Sequence, residues 1–238
     1  RGETIGEMSF FTGAPRNATV VALRDSVLAR ITRPNLEKLL AARPQATLGM
    51  ARLVIERMGR AGGSRRERRR LTNLCLLPIT PGVDVASLGA RLVAHLPAGG
   101  DPVLLTAPAL EARLGIPGIA NAGKAEGDRH RQLTKALDEL EAGHSLVVYV
   151  PDEDLASEWS QRCLRMADRI LLVANASASP EPGAAEARYL LGEDRVSRAE
   201  QVLVLLHEDA AAMPARTADW LDRRPAGSVA GHVHVRPA

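Results

Sequence analysis

Aromatic residues are nearly missing from this chain: they make up 3% of it, against 45% hydrophobic residues in all. Any core must therefore be built from Leu, Val, Ile and Ala. With so few rings, a stacking platform for single-stranded nucleic acid is not expected. Cysteine is scarce too. Cys75 and Cys163 stand far apart with no metal-ligand spacing. That excludes a disulfide-stapled scaffold, and both thiols read as core residues in a reducing compartment. No apolar run approaches the roughly 20 residues that a membrane-spanning helix needs, and no signal peptide is evident. Charge of one sign is not in large excess either, the net value being +3. The chain opens on Arg1, in the middle of a motif, so it reads as a fragment. The expectation is a cytoplasmic protein, at most peripheral to the inner membrane.

What is there is unevenly distributed. Between Arg57 and Arg70 stand seven arginines and one acid, Glu67. The segment Gly59-Arg60-Ala61-Gly62-Gly63-Ser64 lies inside that run and reads as flexible. It divides the chain into three parts: residues 1–58, a linker over 59–70, and residues 71–238. The arginines read either as a solvated hinge or as a patch drawn to an anionic membrane surface. Nucleic acid is not an expected partner, because no aromatics interleave them.

The first part reads as short strands, Ala18–Leu23 and Ser26–Ile31, followed by two helices. The first helix starts near Pro34, with Leu36, Leu39 and Leu40 as its stripe. The second covers about 46–60, with Leu48, Leu53, Val54 and Met58 mostly on one side. Met50, Leu53, Val54 and Met58 serve either as a lid over a ligand or as plain packing.

Ahead of these lies the segment Gly6-Glu7-Met8-Ser9-Phe10-Phe11-Thr12-Gly13-Ala14-Pro15-Arg16-Asn17-Ala18-Thr19. A cyclic phosphodiester in a dry pocket needs a guanidinium and backbone N–H donors. Arg16 supplies the first by a two-pronged contact. A short helix starting near Glu7 and Met8 aims free N–H groups at the anion. Glu7 is an acceptor suited to a ribose hydroxyl, and Gly6 allows close backbone approach.

The order Gly6-Glu7-Met8-Ser9 and then Pro15-Arg16-Asn17-Ala18-Thr19 resembles the phosphate-binding cassette of the cyclic-nucleotide-binding domain family. That resemblance implies a β-roll, truncated here at its start, and a ligand such as cyclic AMP or cyclic GMP. It assigns Glu7 to the ribose and Arg16 to the phosphate, with backbone donors near Met8, Ser9 and Ala18. Asn17 stands where kinase-type members carry Ala or Thr. The other reading is that Glu7 and Arg16 pair with each other in an empty pocket. No metal and no further cofactor is called for.

From about Leu71 strands and helices alternate. Strands are read at Asn73–Ile79, Pro102–Thr106, Ser145–Val150, Arg169–Ala174 and Gln201–His207. Helices are read at Val83–Leu96, Asp128–Ala142 and Leu155–Met166. This order predicts a mainly parallel, Rossmann-like three-layer α/β domain. The fold class is thus α+β followed by α/β.

Asp152 after its strand resembles the metal-holding acid of cell-division-type ATPases. The loop Leu77-Pro78-Ile79-Thr80-Pro81-Gly82-Val83-Asp84, however, has one glycine and no Gly-Lys-Ser/Thr. It makes no phosphate cradle, so the domain reads as a degenerate P-loop-like scaffold.

Other constellations are poor. Gly143-His144-Ser145 and Gly227-Ser228-Val229 lack the form of a nucleophile elbow. His232 and His234 share a strand face without a third ligand and read as edge-strand residues. His130 and His207 read as isolated. No catalytic centre is evident in the chain.

Cassette, Arg-rich linker, the strand ending Leu-Leu-Pro-Ile-Thr-Pro-Gly-Val-Asp and then Ala-Asp-Arg-Ile-Leu-Leu-Val together resemble bacterial patatin-like phospholipases of the neuropathy target esterase family. The resemblance implies a regulatory region whose parent hydrolyses lysophospholipids with a Ser/Asp dyad. That esterase domain would lie beyond Ala238. The alternatives are a stand-alone sensor or interaction protein, and a degenerate ATPase-like partner.

Overall fold

The computed structural model describes residues 4–16, 19–20, 28–61, 72–96, 100–192, 195–208 and 216–236. They form two compact units, one within residues 1–70 and the other from residue 71 onward.

The first unit contains three described helices: α1 (Glu7–Thr12), α2 (Arg33–Ala42) and α3 (Pro44–Ala61). Pro34 sits in the first turn of α2, where its missing N–H costs nothing. Along α2 the half-buried leucines are Leu36 and Leu40, one turn apart, while Leu39 is exposed. On α3 the half-buried line is Ala46, Met50 and Val54. Leu48, expected on the inward side, is instead exposed, because a spacing of four residues selects its neighbours' face. The side chains of Leu53 and Met58 lie outside the described residues. The strands expected at Ala18–Leu23 and Ser26–Ile31 fall largely outside them too, and residues 28–32 carry no regular structure.

The second unit is built on a sheet of six strands: β1 (Asn73–Pro78), β2 (Pro102–Leu105), β3 (Leu146–Tyr149), β4 (Arg169–Asn175), β5 (Glu200–Leu206) and β6 (Val229–Val235). Their order is β2-β3-β1-β4-β5-β6, and every pairing is parallel. Side chains alternate across a strand. Leu74 and Leu76 therefore face one layer, with Val148, Val173 and Val204, while Cys75 and Leu77 face the other, with Val147, Tyr149, Ile170, Leu172 and Leu203. Both faces are covered, as parallel sheets require. Helix α4 (Val85–His95) packs Val85, Leu88 and Leu92 on the first face. The second face takes α5 (Ala107–Leu114), α6 (Gly127–Gly143), α7 (Glu158–Met166) and, through Trp220, α9 (Thr217–Asp222). A short turn, α8 (Ala184–Glu186), continues as a π-helical turn over Ala187–Leu191. Leu133, Leu137 and Leu140 of α6 are buried, each contributing roughly 1.5–3 kcal/mol.

Polar groups lock the entry to the sheet. The Asp168 carboxylate accepts the backbone N–H groups of Thr72 and Asn73, both at 3.1 Å. The buried Asn73 amide donates to Glu141 at 2.6 Å and to the carbonyl of Met166 at 2.9 Å. These contacts tie the start of β1 to the ends of α6 and α7.

The candidate ligand cassette and the phosphate-loop position

Two places in the chain are candidates for an anion site, and they turn out differently. The first is the turn into α1. Gly6 has φ +86° and ψ 15°, a left-handed conformation that favours glycine. The chain then enters the helix at Glu7, whose side chain is buried, with 6% of the residue exposed. Ser9 donates its hydroxyl to the Gly6 carbonyl at 3.0 Å, fixing the turn. Helix α1 ends at Gly13, also left-handed at φ +68°. Thr12 closes the end by donating to the Met8 carbonyl at 2.8 Å and accepting the Ala14 N–H at 3.2 Å.

That short return carries Arg16 back to the start of the helix. Its guanidinium lies on the α-carbon of Gly6, so closely that a Cβ there would overlap it. Gly6, Glu7 and Arg16 are therefore brought together. Met8 and Ser9 follow on the first turn of α1. Thr19 is exposed, and Asn17 and Ala18 lie outside the described residues. From the other side Arg33, at the first position of α2, donates to the Phe10 carbonyl at 3.0 Å and lies over its ring at 5.0 Å. Sequence spacing did not point to Arg33, because the contact spans 23 residues.

The second place is the C-terminal edge of the parallel sheet, where the loops after β1 and β3, with α8 and the π-helical turn, line a cleft of about 760 Å³. Ligands of doubly wound folds bind at such an edge. The groups that would grip phosphate are otherwise engaged. Asp84 caps α4, its carboxylate accepting the Ser87 N–H at 2.9 Å. That bond holds the Asp84 carboxyl below its usual range. A negative charge therefore sits where the helix start would receive an anion. Thr80 accepts the Asn175 N–H at 2.9 Å, and Pro81 has no N–H to give. Asp152 accepts the Ser157 hydroxyl at 2.9 Å and serves the entry to α7. These residues do not fit a nucleoside triphosphate with its metal. Among the described residues no helix is long and apolar enough to cross a membrane, and no cluster of three or more His, Cys, Asp or Glu fits a metal.

The parallel sheet and its C-terminal edge thus define a P-loop-like α/β domain without a phosphate loop, and a cyclic-nucleotide-type cassette precedes it in sequence. Comparison with known proteins agrees on both parts. Residues 70–238 match the P-loop like domain of the Neuropathy Target Esterase family, and residues 1–43 match the cyclic nucleotide-binding domain. The chain belongs to the neuropathy target esterase family. It is 33% identical to Lysophospholipase NTE1 of Pyricularia oryzae, 34% to Lysophospholipase nte1 of Emericella nidulans and 32% to that of Neurospora crassa, in each case over 100% of this chain. These relatives are fungal, where the sequence reading looked to bacterial proteins. The chain spans 16% of their length. No solved structure matches it.

Proposed function

We propose that this chain is the regulatory region of a lysophospholipase, in which the cassette receives a small anion and the P-loop-like domain relays its presence to an esterase domain elsewhere on the parent protein. The placement of the Arg16 guanidinium on Gly6, beside the buried Glu7, carries the reading. A cyclic nucleotide fits these groups: its phosphate takes the guanidinium in a charge-assisted pair, and its ribose hydroxyl takes the Glu7 carboxylate. Met8, Ser9, Asn17, Ala18 and Thr19 would complete the seat. The parent's ester hydrolysis by a Ser/Asp dyad belongs to this proposal, as does a peripheral place on a membrane through the arginines of the Arg57–Arg70 stretch.

The test is titration calorimetry on the intact protein with cyclic AMP and with cyclic GMP. Binding of either, lost in Arg16→Ala with the fold retained, supports the reading. A hydrogen bond to a charged group contributes roughly 1.5–3 kcal/mol, so the loss should be at least tenfold. Absence of heat with both nucleotides rejects the ligand and leaves the family assignment standing.

A further inference from the structure

Strands β5 and β6 end side by side, and three imidazoles gather there. Nε2 of His207 lies 2.8 Å from Nδ1 of His234. Nε2 of His234 lies 3.2 Å from Oγ1 of Thr217, the first residue of α9. The His207 and His234 ring centroids are 5.1 Å apart, and His232 stands edge-on to His234 at 5.5 Å. Register fixes the grouping. Leu205 pairs with His234, and the His207 N–H donates to the Val235 carbonyl at 2.9 Å, so His207 follows Leu205 on the same face. In sequence His207 looks isolated; the ladder is what gives it a partner.

Two facing ring nitrogens at hydrogen-bond distance are joined by one proton. With both rings neutral the donors run consistently. His207 Nε2–H donates to His234 Nδ1, and His234 Nε2–H donates to the Thr217 hydroxyl; the reversed chain, with Thr217 as donor, works equally. One added proton is tolerated on the outer Nδ1 of His207. A second is not, because both facing nitrogens would then carry hydrogen and positive charge.

The other charges acting on His234 are His232 of its own strand and Arg236 just past the strand's end, both of which oppose its protonation. From α9 it meets Thr217, while the acid Asp219 is taken by Arg216 at 3.1 Å. Asp222 lies at the far end of that helix. Burial and then His207 hold the His234 pKa below the ordinary imidazole value. The sign follows: the unfolded ring takes its proton before the folded one does. The stability this neutral ring contributes is whole above the ordinary imidazole range and is lost as pH falls through and below it.

We infer that His207 and His234 form a proton-sensitive latch that holds the start of α9 to strand β6 at neutral pH and lets it go on acidification. The far end of α9 stays anchored, since Trp220 is 1% exposed and the Arg224 that follows is bonded to Glu186. Opening is therefore confined to the helix start and the edge strand. The inference is independent of what the cassette binds.

The experiment is hydrogen exchange read by mass spectrometry on the intact protein, at about pH 7.5 and about pH 5, with labelling times corrected for the intrinsic rate. In the wild type, peptides covering 216–222 and 229–236 should exchange several-fold faster at the acid pH. His207→Gln should abolish most of that change, because a carboxamide does not titrate and can turn either end to His234. Thr217→Val should expose 216–222 at neutral pH already. An acid response equal in His207→Gln and wild type, or no response in the wild type, overturns the latch. If His207→Gln melts well below wild type at neutral pH, Thr217→Val decides: protection unchanged there overturns it.

Discussion

Glu186 and Arg224 form a two-pronged ion pair inside the protein, with Nε to Oε1 at 2.7 Å and Nη2 to Oε2 at 2.9 Å. Their side chains are 2% and 1% exposed. Arg224 also donates to the carbonyls of Trp220 and Pro180, at 2.8 and 3.2 Å. Breaking such a pair strands a buried charge. Glu186→Leu and Arg224→Met should each cost about 3–5 kcal/mol alone, whereas the double variant carrying both should cost less than either single change. Denaturant unfolding of the four proteins measures the difference. A double variant as unstable as the sum of the singles would mean that the pair itself contributes little.

Gly6 is argued from two observations, its left-handed φ and the guanidinium above it. Gly6→Ala should cost about 1–2 kcal/mol for the backbone conformation and should also push Arg16 off its place. Nucleotide affinity in the intact protein should then fall as far as in Arg16→Ala. Calorimetry on both variants checks this. Affinity retained in Gly6→Ala would separate the turn from the ligand seat.

At the phosphate-loop position the expectation is negative and specific. Magnesium and ATP at millimolar concentration should leave the melting temperature unchanged, since Asp84 occupies the helix start. Asp84→Ser keeps a side-chain cap and should melt close to wild type, while Asp84→Ala should melt lower. The carboxyl of Asp84 is held low by the Ser87 N–H. Its contribution is therefore present above the ordinary carboxylate range and is lost as pH falls through it. The advantage of Asp84 over Ser should vanish in that window, as melting curves taken down to about pH 3 will show.

Cys75 and Cys163 are both free and buried. Burial pushes the Cys75 thiol up to about 12 and raises that of Cys163 well above its usual value. The thiolate is the reactive form, so neither should react with an aromatic disulfide reagent in the native protein. Both should react at once in denaturant, by absorbance. Fast labelling of the native protein would show that this core opens readily.

Much of the second unit was legible in the sequence because its strands are buried on both faces. Leu74–Leu77 and Ile170–Ala174 are near-continuous apolar runs, and α6 repeats leucine at helical spacing. Helix α5 escaped that reading although Thr106 caps it, accepting the Ala109 N–H at 3.2 Å, and Gly115 ends it at φ +65°. Those signals are local, but the helix covers only eight residues with a weak stripe. Helix α9 is shorter still, and it reaches the core through the adjacent pair Trp220 and Leu221.

The sequence by itself determined the order of strands β1 to β5 with helices α4, α6 and α7 among them, the buried cysteines and the missing phosphate loop, because these follow from residue types and from periods of two and 3.6. It also placed Glu7 at the start of a short helix, nine residues before Arg16. Only the tertiary structure decided that Arg16 folds onto Gly6 and that His207 meets His234. Each of those depends on where a loop returns or how two strands register, and such distances are set by packing across the fold, not by neighbours along the chain.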